Sequence, residues 1–112
     1  MAENNDARPS WLTEDCPAWC SADHAEQAYA GDRVHTSDTL DVPAIVRVTD
    51  CRGGKTWHHV DGTEVTVALS RRVGERETWL YIGTPDRQEL ELTLESAERL
   101  AEAIGAVLRR TR

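Results

Sequence analysis

Four side chains within one short stretch constrain this chain more than anything else in it: Cys16, Cys20, His24 and His35, in the pattern CPAWC-x3-H-x10-H. Two thiols and two imidazoles are the complement of a closed tetrahedral zinc site. The surrounding sequence tightens the constraint. Across residues 11–41 only Leu12, Val34 and Leu40 are Leu, Ile or Val. That is too little apolar surface to offset the entropy of ordering the segment without a cross-link or a metal.

The spacing sets a geometric condition. In one straight helix over residues 16–24 the first three candidates would share a face, yet Cys16 and His24 would stand about 12 Å apart along the axis. Ligands of one zinc each lie only about 2.0–2.3 Å from it, so the chain must break. Pro17 supplies the break, because it suits a turn or a first helical position and restrains Cys16 to an extended conformation. The expected arrangement has Cys16 on an incoming loop, and Cys20 and His24 one turn apart on a short helix over residues 18–29. A turn at Ala30-Gly31-Asp32 then returns His35 as the fourth ligand.

Glu14, Asp15, Asp23 and Asp32 surround this cluster, and Asp32 or Asp23 is the expected acceptor for the remaining ring N–H of a ligand histidine. The spacing departs from the commoner C-x2-4-C…H-x3-5-H patterns, so other readings stay open. They are small buried cysteines beside solvated histidines, a Cys16–Cys20 disulfide or redox pair, and a site completed by Cys51 or water instead of His35.

Charge follows the same division of the chain. Residues 1–41 carry nine acidic and two basic side chains, a net of -7, which is the whole formal charge of the protein. Nucleic acid is therefore a poor partner, since phosphate binding needs clustered Lys and Arg. Arg71 and Arg72 read as a solvated turn, and Arg109, Arg110 and Arg112 as a favourable helix C-terminus. No long apolar run or secretion signal is present, which leads to the expectation of a cytoplasmic protein without a membrane segment. Three cysteines are an odd number, which argues against a framework built from disulfides alone.

The organisation expected is a disordered tail at 1–10, a Cys2His2 zinc-binding unit at 11–41, and an antiparallel sheet plus C-terminal helix at 42–112. Strands are expected at residues 44–49, 56–60, 64–69, 78–82 and 88–92. Turns are expected at Cys51-Arg52-Gly53-Gly54, Asp61-Gly62, Val73-Gly74-Glu75 and Gly83-Thr84-Pro85-Asp86. Within 64–69, Val65, Val67 and Leu69 alternate with Glu64, Thr66 and Ala68, the pattern of a half-buried strand. Thr93 can cap a helix in which Leu94, Ala97, Leu100, Ala101, Ile104, Val107 and Leu108 recur at helical spacing. The fold class is thus α+β: a small antiparallel sheet of four or five strands packed by one C-terminal helix, with a zinc-stabilised loop-helix unit before it.

Among the remaining residues, Trp11 and Trp19 flank Cys16 and are expected to wall the N-terminal unit. His58 and His59 fall on opposite faces of a strand and read as solvated. Cys51 reads as an inert small residue, held in reserve as a ligand. The segments CPAWC with His24, Asp32-Arg33-Val34-His35, and Glu91-Leu92-Thr93-Leu94-Glu95-Ser96-Ala97 with Leu100-Ala101 resemble those of a family of short uncharacterised actinobacterial proteins. That family has CPxWCxxxH and DRxH segments and a C-terminal LTxxxAxxLA helix. The resemblance implies no activity, but it adds Asp32 and Arg33 to the motif.

The function expected is a small zinc-stabilised interaction or adaptor protein with a structural metal, a protein partner and scope for homo-oligomers. The alternatives are a metal-dependent enzyme with an open zinc position, using Glu14, Asp23 or Asp32 as base, and a regulator contacting nucleic acid.

Overall fold

The computed structural model describes residues 9–112. The expected tail at 1–10 lies, but for residues 9 and 10, outside the described residues. The described residues form five strands and one α-helix: β1 (Val34–Thr36), β2 (Leu40–Arg52), β3 (Lys55–Arg72), β4 (Trp79–Thr84), β5 (Arg87–Thr93) and α1 (Leu94–Arg109). All strand pairings are antiparallel. The order across the sheet is β1-β3-β4-β5, with β2 also paired to β3.

β3 organises the molecule. Its last three residues pair with β1, and its residues from Lys55 to Val67 pair with all of β2. β4 crosses it only between Thr66 and Ser70. The outer part of the β2–β3 hairpin therefore runs past the rest of the sheet as a two-stranded ribbon.

Two turns decide this length. Gly53 and Gly54 have φ of +56° and +78°, the left-handed pair that a two-residue hairpin loop demands and that only glycine adopts freely. The turn expected at Asp61-Gly62 does not form. Asp61 pairs with Val46 and Gly62 with Ile45 inside β3, and Gly62 is not at positive φ. With the chain already reversed at Gly53-Gly54, the ladder runs uninterrupted through a dipeptide that is turn-prone only in isolation. The strands expected at 56–60 and 64–69 are one strand.

Side-chain alternation places one apolar set on a single face: Leu40 and Val42 of β2, Val65, Val67 and Leu69 of β3, Leu80 and Ile82 of β4, Leu90 and Leu92 of β5. His35 lies opposite Arg71, two residues beyond Leu69, so it continues that face at its β1 end. The helix begins directly from β5. Thr93 ends the strand and caps the helix, its hydroxyl accepting from the Ser96 N–H, as its position before the apolar repeat predicts. None of the helix residues is buried.

The N-terminal unit departs from the helix expected of it. Residues 18–29 do not form a helix; they hold a turn and then a single 3-10 turn at His24–Glu26, followed by another at Ala30–Asp32. The segment has no apolar stripe to bury, so nothing offsets the cost of helix nucleation. Its polar side chains instead bond locally: Asp23 accepts from the Ala25 N–H, and Gln27 is tied to β1.

Candidate metal centre

Each of the four candidate ligands is delivered by a different local device. Pro17 leads a turn closed by the Cys20 N–H to the Pro17 carbonyl at 3.0 Å, so Cys16 and Cys20 flank a reversal instead of spanning a helix. The Ser21 N–H then donates to the Thr36 carbonyl at 2.8 Å, stitching the loop to β1. The 3-10 turn carries His24, and β1 carries His35. The four donor atoms all lie within 4.8 Å of one another. Cys16, Cys20, His24 and His35 thus form a group that could hold a metal ion.

The histidines are the two buried polar side chains among the described residues, at 7% and 0% exposure. His35 is the more telling. Its Nε2 is 2.6 Å from Glu14 Oε2, and a carboxylate only accepts, so the proton sits on Nε2 and Nδ1 carries the lone pair. That Nδ1 is buried with no hydrogen-bond partner among the described residues. An orphaned buried acceptor is costly, and a metal held by the cluster would satisfy it.

His24 is oriented the opposite way. Its Nδ1 is 2.8 Å from Gln27 Oε1. The Gln27 amide orientation follows from Val34, whose N–H donates to Oε1 at 3.2 Å and whose carbonyl accepts from Nε2 at 2.9 Å. His24 therefore donates from Nδ1 and turns the Nε2 lone pair toward the thiols, 3.3 Å from Cys16 Sγ and 3.6 Å from Cys20 Sγ. Tetrahedral ligands at zinc-like bond lengths of about 2.3 Å (S) and 2.0 Å (N) stand about 3.5 Å apart. The donor set fits the group.

The acceptors behind the histidines are Glu14 and Gln27, not Asp32 or Asp23. Glu14 collects His35, the Arg71 guanidinium at 3.3 Å and the Gly74 N–H at 2.9 Å. The hydrogen bond from His35 lowers its carboxyl below the usual range; the Gly74 N–H and the charge of Arg71 act in the same direction, against partial desolvation. Arg71 is consequently no solvated turn residue, and Arg72 donates to the Gly31 and Ala30 carbonyls. Gln27 went unread in the sequence, although it stands three residues after His24, within reach on a 3-10 turn.

Trp11 meets the His24 ring edge-on at 5.8 Å between centroids, and the Arg33 guanidinium lies over the Trp11 ring, 4.4 Å from its centroid. The Arg33 of the DRxH segment thus acts through Trp11 and the Ala28 carbonyl, while Asp32 is exposed. His58 bonds Thr49 and His59 pairs with Asp61, both exposed on the ribbon. Cys51 cannot complete the cluster: it pairs with Thr56, 15 residues along β3 from the Arg71 that faces His35, about 50 Å away.

Compared with known families, all of residues 1–112 match one described as a domain of unknown function (DUF6907). The chain belongs to that family. No curated protein and no solved structure matches it. Among the described residues, no helix is long and apolar enough to cross a membrane.

Proposed function

We propose that this DUF6907 protein is a small interaction module whose N-terminal unit is held by one structural zinc ion on Cys16 Sγ, Cys20 Sγ, His24 Nε2 and His35 Nδ1. The single observation that carries the reading is the buried, unpartnered Nδ1 of His35, whose opposite nitrogen is held by Glu14. Four protein donors fill a tetrahedral ion and leave no position for water, which makes the metal structural in kind. Two thiolates and two neutral imidazoles balance its charge. The ion supplies the ordering energy that an acidic, apolar-poor segment lacks. Glu14 and Gln27 orient the ligands, and Trp11 shields His24 from solvent.

The partner class is protein, because the acidic balance disfavours phosphate backbones. Elemental analysis of purified protein, with Cys20→Ser and His35→Ala alongside, tests the metal reading. The expected result is one zinc per chain, lost in both variants. Full metal content in the His35→Ala variant would overturn the closed four-ligand site and return the enzyme reading with an open position.

A further inference from the structure

The four donors of the cluster differ in how far solvent reaches them. His24 and His35 are buried, Cys20 is half-buried and Cys16 is exposed. A small reagent in water therefore meets the cluster at the Cys16 sulfur first. A second thiol stands directly behind it. Cys16 and Cys20 flank the turn closed by the Cys20 N–H on the Pro17 carbonyl, and both sulfurs lie against His24 Nε2, at 3.3 and 3.6 Å. The two sulfurs are within 4.8 Å of each other. A disulfide bond is about 2.05 Å long, so joining them closes a gap of less than about 3 Å. The third thiol, Cys51, lies near the tip of the β2–β3 ribbon and cannot take part.

We infer that Cys16 and Cys20 form a redox switch, in which a hydroperoxide attacks at Cys16, Cys20 closes a disulfide onto it, and the metal is expelled. The inference rests on the metal reading and adds a regulation to that same site. The Cys16 thiolate attacks one oxygen of hydrogen peroxide; an S–O bond forms, the O–O bond breaks, and hydroxide leaves a sulfenic acid behind. The Cys20 thiolate then attacks the Cys16 sulfur; the S–S bond forms, the S–O bond breaks, and a second hydroxide leaves. Two protons from solvent turn both hydroxides into water. The two thiolates together lose two electrons, and the peroxide gains them.

The consequence is confined to one part of the molecule. Zinc is held by thiolate, not by disulfide, so oxidation leaves the ion with two imidazoles where a closed site needs four donors. Without the ion, the buried His35 Nδ1 has no partner among the described residues. Residues 11–41 then lack the apolar surface to stay ordered. Cys16 and Cys20 precede β1 and enter none of the strand pairings, so the sheet persists while the N-terminal unit loosens.

Hydrogen peroxide added to the zinc-loaded Cys51→Ser chain tests the switch, since Cys16 and Cys20 are then its only thiols. Zinc is first counted by elemental analysis. Its release is followed with a chromogenic chelator against a peroxide-free control, and the cysteines are read by alkylation and peptide mass. The expected result is release of the whole ion in step with a Cys16–Cys20 disulfide, both reversed by dithiothreitol and added zinc. With dimedone present, the sulfenic acid adduct is expected on Cys16. A chain that takes up no zinc would overturn the metal reading and the switch with it. A loaded chain that keeps its zinc in peroxide would overturn the switch alone. So would release accompanied by disulfides between chains, by sulfinic acid without a disulfide, or by a dimedone adduct on Cys20 instead of Cys16.

Discussion

Glu14 shows how one side chain outside the ligand set governs the site. Its carboxylate accepts from His35, Arg71 and the Gly74 N–H, so it fixes the imidazole tautomer and also ties the entering chain to the end of β3. Glu14→Gln keeps the size but removes the charge, and zinc affinity measured by competition with a chromogenic chelator is expected to fall about 10–100-fold. Gln27→Ala, which frees His24 Nδ1 and cuts two bonds to Val34, is expected to fall in the same range. Cys51→Ser is the matching control: near the tip of the β2–β3 ribbon, it is expected to retain full metal content.

The elements are decided by turns. Gly54 sits at φ +78° with open space around its Cα, so Gly54→Ala suffers backbone strain alone, about 1 kcal/mol or more. Gly62 also has open space but ordinary strand dihedrals, and Gly62→Ala is expected to leave the midpoint of thermal unfolding unchanged or slightly raised. A reversed order of the two effects would mean that the chain turns at Asp61-Gly62 after all. At the other end of the sheet, Thr93→Ala removes the hydroxyl that accepts from Ser96 and is expected to cost about 1 kcal/mol, read from denaturant unfolding.

For the whole molecule, the proposed metal would order the N-terminal unit, whereas the sheet is ordered by its ladder. Chelation of the metal is expected to change the fluorescence of Trp11 and Trp19 while the far-ultraviolet signal of the strands persists; a proton NMR spectrum checks which amides lose dispersion. Part of the architecture was legible from residues alone. The Cys/His group that could hold a metal, the break at Pro17, the Thr93 cap and the alternation around Val65, Val67 and Leu69 all follow from local chemistry: donor type, fixed φ, side-chain hydrogen bonding and two-residue periodicity. What only the tertiary structure decided were the relations between distant segments. The Gly53-Gly54 reversal overrode the turn signal at Asp61-Gly62 because backbone pairing is settled across strands. Glu14 replaced Asp32 and Asp23 behind His35 because a partner 21 residues away has no sequence signature. The helix follows β5 directly and contacts both β5 and β4 of its own chain, while Ile104, Val107 and Leu108 towards its far end stay more than half exposed. An amphipathic pattern specifies which face of a helix is to be covered, but not how far along its length the sheet reaches.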